Sequence, residues 1–276
     1  MRDLPCPSAP VRFPLLAAIG VNLGWHLVLF AAAVLLPPLD VVGPVLVNLV
    51  ACAVPLAVVA ALRWWRAPWL ASWWPRRPWL LAPAYLVICV ELLRGVEVTV
   101  EAAAASALLM VSVGVSEELY ARGVMQELLR ALSPLRQAAT VGLLFGLGHV
   151  LSGVFFDRSM EYMAFQVLHA SVFGFLLAAL RLHVISIWPL ALLHAISNWV
   201  SVNSTGELPV WWEAARLVAL LCYGVLLVRM CSRDDPAGRD GASASPRSGV
   251  AASSNPPQAG DEPRSGFTYD VSLLRA

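Results

Sequence analysis

Long apolar runs broken by short polar ones set the pattern of this chain. A helix needs about 20 mainly apolar residues to cross a bilayer core. Scanning on that criterion yields about eight candidates. They run roughly from Phe13 to Leu36, Val41 to Leu62, Trp79 to Leu93, Ala102 to Ala121, Gln137 to Phe156, Met163 to Leu180, Val184 to Val202 and Pro209 to Met230. The pattern predicts an all-α, polytopic transmembrane helix bundle of about eight spans. The third run is short, and the last contains Glu213 and Arg216, which can pair at i,i+3.

Arginine placement tests the count. With the N-terminus inside, cytoplasmic segments hold Arg2 and Arg12, then Arg63, Arg66, Arg76 and Arg77, then Arg122, Arg130 and Arg136, then Arg181, then Arg229 and Arg233. The opposite loops hold only Arg94 and Arg158, with Arg216 near the start of the last run. This bias places both termini in the cytoplasm and predicts a multi-pass protein of the cell membrane. Trp64, Trp65, Trp69, Trp73, Trp74 and Trp79 crowd the second loop, and such residues favour the membrane interface. The loop is therefore expected to lie along the cytoplasmic surface.

Composition agrees. The chain is 59% hydrophobic and 13% charged, about half the charged share of a soluble domain. Its net charge of +1 suggests no nucleic-acid partner. Five scattered cysteines form no CxxC and read as reduced thiols. After Cys231 the sequence turns to Ser, Gly, Pro, Asp and Arg, which cannot bury enough apolar area to order itself. Three regions are expected: 1–101, N-terminal helices with the Trp- and Arg-rich loop; 102–230, a transmembrane core; and 231–276, a disordered cytoplasmic tail.

Three apolar runs carry ionisable or amide groups where these are costly. A charge at mid-bilayer costs roughly 3 kcal/mol by insertion scales, so such groups persist when paired, hydrated or functional. The groups are Glu117, Glu118 and Arg122; Phe145 and His149; His194 and Asn198. Within each set, side chains four apart share a helix face. Adjacent Glu117 and Glu118 are about 100° apart on the wheel, so one is expected to face the reaction centre and the other to support it. A carboxylate in a low-dielectric cavity is a competent general base for water near neutral pH. A nearby imidazole can share the proton, while a second imidazole and an amide can donate to an oxyanion. Glycines at 142, 146 and 148 should let a neighbouring helix approach closely. His26, His169 and His183 are read as packing residues, with His169 the best candidate for an extra pocket residue. Asn22 and Asn48 are read as interhelical hydrogen-bonding groups.

The ordered motifs Glu117-Glu118-x-x-x-Arg122, Phe145-x-x-x-His149 and His194-x-x-x-Asn198 resemble those of the CPBP family of CAAX-protease and bacteriocin-processing intramembrane enzymes. The resemblance extends over about Ala102 to Trp199. It implies an intramembrane glutamic endopeptidase. Glu117 would activate water with His149 assisting, and His194 and Asn198 would stabilise the oxyanion. Glu118, Arg122 and Phe145 would support the site. It departs from the family at Ala121, often aromatic there, and at Ala178, often glycine. The implied partners are a membrane-bound protein or peptide substrate and the lipid bilayer; no cofactor is required. Two alternatives use the same residues. Glu117, His149 and His194 could hold zinc, or a non-enzymatic carrier or immunity protein could use them as a proton relay. The substrate choices left open are a prenyl-type tail, a leader peptide and a C-terminal sorting helix.

Overall fold

The protein is described from a computed structural model that covers residues 12–233 except 38, 156, 207 and 208, together with the side chain at 152. Cys6 and the expected tail from 234 onward lie outside the described residues. Each of the eight apolar runs is helical, and the described residues contain no strand. The helices are α1 (Pro14–Leu35), α2 (Val42–Ala51), α3 (Ala53–Ala61), the short α4 (Pro68–Ala71), α5 (Ala82–Glu91), α6 (Val100–Glu118), α7 (Gln126–Leu128), α8 (Pro134–Phe155), α9 (Met160–Val184), α10 (Trp188–Asn203) and α11 (Val210–Arg233). A π-helical segment, Leu119–Met125, joins α6 to α7.

Six helical stretches are long and apolar enough to cross a membrane: Pro14–Leu35, Val42–Ala61, Val100–Leu128, Pro134–Phe155, Met160–Val184 and Val210–Cys231. The third and seventh expected spans form shorter helices, α5 and α10. The second run breaks at Cys52 because Pro55 has no N–H for the carbonyl of Ala51 and its ring crowds that carbonyl. The last run continues through Arg233, past the expected start of the tail.

Neighbouring helices alternate in direction, and two pairs form the centre. α8 and α9 pack where α8 lacks side chains. A Cβ on Gly142 would lie 2.6 Å from the Phe175 nitrogen, and one on Gly146 would lie 2.7 Å from the Val167 oxygen. The expected close approach is thus seen at 142 and 146, whereas Gly148 admits the His26 ring of α1. α6 and α10 meet at Gly114, where a Cβ would lie 2.5 Å from the Ala191 oxygen.

The bundle has two unlike faces. The α1–α2 and α8–α9 turns share one, because Phe30 and Phe155 stack at 4.8 Å. The α5–α6 and α10–α11 turns meet where Arg94 Nε donates to the Gly206 oxygen at 2.8 Å. Trp25 meets Ser116 and stacks on Tyr120, whereas the later α1 residues Leu29 to Val34 share a cavity with the earlier α6 residue Val113, so α1 runs antiparallel to α6 and these four turns lie at the same end. The opposite end carries the arginine-rich loops.

The tryptophan loop belongs to that opposite end but only partly lies on the surface. Trp64 and Trp69 are buried, whereas Trp65, Trp73, Trp74 and Trp79 are exposed. Trp69 sits against Gly123, and its oxygen accepts the Ile187 N–H at 3.1 Å. Trp188 Nε1 donates to the Leu70 oxygen at 2.8 Å, and Trp73 stacks on Trp188 at 4.5 Å. The loop clasps the α9–α10 turn because that turn offers the backbone groups its own short helices leave open.

Candidate active site

The site is built on α6, whose last residues are Glu117 and Glu118. The helix does not end there. It continues through the π segment to Leu128, so Glu117 lies eleven residues from that end, about 16 Å along the axis. Glu117 is therefore deep in the bundle, level with His194. Every residue of Leu119–Met125 is buried, and a π segment turns consecutive side chains differently from an α-helix.

Glu118 and Arg122 are fully buried and paired, with Arg122 Nη1 donating to Glu118 Oε1 at 2.7 Å. Arg122 Nη2 donates to the Gly174 oxygen at 3.2 Å, and its guanidinium lies 4.3 Å from the Phe145 ring centroid. Such a desolvated cation–π contact contributes about 2 kcal/mol. A side chain at Gly174 would meet both Phe145 and Arg122, so the absence of a Cβ there admits the arginine.

His194 bridges the two carboxylates. Its Nδ1–H donates to Glu118 Oε1 at 2.8 Å, and its Nε2 lies 3.6 Å from Glu117 Oε2. The helical wheel separates the two glutamates, and the structure respects that angle. They reach opposite nitrogens of one ring, so both belong to a single cluster. The gap on the Glu117 side is too long for a direct hydrogen bond. The ring is held edge-on by Phe173 at 5.3 Å and Phe145 at 6.0 Å.

His149 stands one helix away. Its Nδ1–H donates to the Phe145 oxygen at 3.0 Å, which leaves Nε2 as the free acceptor, and its ring meets Phe145 edge-on at 5.2 Å. It makes no ion pair or hydrogen bond with Glu117 among the described residues. Asn198, one turn beyond His194 on α10, is half-buried, and its amide has no hydrogen bond to another described residue. The structure thus joins Glu117, Glu118, Arg122, Phe145 and His194 directly, brings His149 in through Phe145, and leaves the Asn198 amide free.

Two histidines read as packing groups also border the cluster. His26 donates Nδ1–H to the Asn22 oxygen at 2.8 Å, and its ring abuts Gly148 and Tyr120. His169 stacks on Phe173, the ring that holds His194. Nothing in the spacing of α1 pairs His26 with the later motifs; only Gly148 beside His149 marks the gap it fills. Asn48 donates to the Pro44 oxygen of its own helix at 3.0 Å, so it ties a turn and not two helices. Among the described residues no three His, Cys, Asp or Glu side chains are grouped so as to hold a metal ion, the set Glu117, His149 and His194 included.

A cavity of about 770 Å³ opens beside the cluster. Its walls come from the second half of α1, the first half of α2 and one side of α6, and Glu117 is its innermost acid.

Fold and cluster together define a polytopic helical membrane protein with an acid–imidazole site inside its bundle. Residues 99–200 match the family model described as Type II CAAX prenyl endopeptidase Rce1-like. The match bears out the resemblance to CAAX-type intramembrane proteases over α6 to α10 and contains every motif residue above. No curated protein matches the chain, and no solved structure does.

Proposed function

We propose that this chain is a glutamic-type intramembrane endopeptidase of the cell membrane, acting on a membrane-associated protein or peptide. The observation that carries the reading is the 3.6 Å gap between Glu117 and His194 Nε2, with Glu117 also facing the cavity. In this reading a water bound beside that pair, on the cavity side of Glu117, loses a proton to Glu117 as its oxygen attacks the peptide carbonyl carbon. The carbonyl π electrons move to oxygen, and the oxyanion takes hydrogen bonds from His194 and the Asn198 amide. Glu117 then returns the proton to the leaving amine as the C–N bond breaks. Glu118 and Arg122 hold the His194 ring, and His149 supplies a second basic nitrogen at the site.

The test is the membrane proteome of cells carrying Glu117→Gln against wild type. Uncleaved precursors should accumulate in the variant while the protein level is unchanged. Normal processing in the variant refutes the role. Activity of purified enzyme in the presence of a strong chelator separates this reading from a zinc enzyme built on the same side chains.

A further inference from the structure

The cavity beside Glu117 has a direction. Leu29, Phe30, Ala33 and Val34 of α1 and Gly43, Pro44 and Val47 of α2 line it, and Asp40 in the α1–α2 turn stands at its outer end. It therefore runs from the site toward the face that carries the turns, away from the arginine-rich loops. That face is acidic. Asp40, Glu97, Glu101, Asp157 and Glu161 are all exposed there. Of its three arginines, Arg94 is engaged with the Gly206 oxygen and Arg216 with Glu91 and Glu213, which leaves Arg158 over the Tyr162 ring. The opposite end holds Arg63, Arg66, Arg76, Arg77, Arg130, Arg136, Arg181 and Arg229.

From this we infer that the site receives its substrate through the α1–α2–α6 cavity from the acidic face, and that the substrate is an apolar peptide segment flanked by basic residues. The inference deepens the peptidase reading and rests on it for the chemistry. The apolar walls take the segment adjoining the scissile bond. Asp40 at the cavity mouth, with the other exposed carboxylates of the same face around it, attracts a cationic flank and repels an acidic one, an effect that salt screens. By the arginine bias this face is the extracytoplasmic one.

The experiment uses the full-length protein in neutral-lipid nanodiscs and three fluorescent peptides. Each has the same eight-residue Leu/Ala segment, ended by three lysines, three glutamines or three glutamates. Binding is read by anisotropy on the Glu117→Gln variant, and cleavage on wild type. The lysine peptide should bind about tenfold more tightly than the glutamate peptide at low salt, with the gap closing at high salt. Asp40→Lys, and separately Glu97→Lys with Glu101→Lys, should narrow that gap. Equal binding of the three peptides, or a gap that neither variant changes, overturns the inference and describes a cavity filled by any apolar chain, lipid included. Charge-selective binding with no cleavage by wild type keeps the inference and removes the peptidase. Cleavage that ignores the flank charge does the reverse.

Discussion

At the scale of single residues, the two adjacent glutamates sit in different surroundings. Glu118 is sealed, and its Oε1 serves both Arg122 and His194. Glu117 is 16% exposed, toward the cavity. Glu118→Gln removes the charge that compensates a buried guanidinium, a loss on the order of 3–5 kcal/mol. It should lower the apparent unfolding temperature of the detergent-solubilised protein and abolish activity with it. Glu117→Gln should abolish activity while melting near wild type. Equal melting of the two variants would remove the division of roles. Arg122→Lys tests the same cluster from the other side. A lysine keeps the charge but loses the fork that reaches Glu118 and the Gly174 oxygen together, so it should melt below wild type. The carboxylates, the arginine and both site histidines were legible in the sequence because ionisable groups are rare in apolar runs. The bridging place of His194 was not, since it depends on how α10 is set against α6. Nor was His26 legible, whose helix shares no motif with the rest.

At the scale of elements, glycine position decides how closely the helices sit. Gly146 faces backbone atoms of α9, so Gly146→Ala should force the α8–α9 pair apart at a cost of about 1–3 kcal/mol. Gly20 on α1 has nothing within 4 Å of a built Cβ, and Gly20→Ala should be neutral or stabilising by up to about 1 kcal/mol. Thermal unfolding of both variants in one detergent checks the contrast; a Gly146→Ala protein as stable as Gly20→Ala would contradict the packing. The sequence showed the glycine stripe because its spacing matches a helix face. It did not show the π segment. Leu119–Met125 contains no Pro but does contain Gly123, a weak helix former, and the widened turn surrounds the buried Arg122 with its partners on α8 and α9. For the same reason the apolar run ending at Ala121 understated α6. Its continuation to Leu128 carries Arg122, Gln126 and Glu127, and the first two of these are buried in the bundle on polar partners.

For the whole molecule, the run lengths and arginine bias were enough to predict a helical bundle with one basic face, because the bilayer imposes both. They could not show that the tryptophan loop is structural, since interfacial preference and core packing ask for the same residue type. Trp69 resolves the ambiguity. Its indole is 1% exposed and fills the space that Gly123 leaves on the π segment, one turn past the carboxylate pair. Its oxygen also holds Ile187 at the start of α10, and Arg76 N–H donates to the Val184 oxygen across the same turn. Between them Ile185 has φ 67°, a left-handed backbone that a β-branched residue adopts at a cost of about 1–3 kcal/mol. The clasp thus fixes both helices that carry the site, α6 through Gly123 and α10 through the strained turn. Trp69→Ala empties the space on the π segment and should destabilise the protein by about 3–5 kcal/mol. Trp69→Phe keeps most of the volume and should recover most of that stability, whereas exposed Trp74→Ala should cost little. The informative measurement is peptide cleavage by Trp69→Phe at a temperature where it is fully folded. A lowered turnover there means that the loop sets the distance between Glu117 and His194, and wild-type turnover means that the clasp only holds the bundle closed.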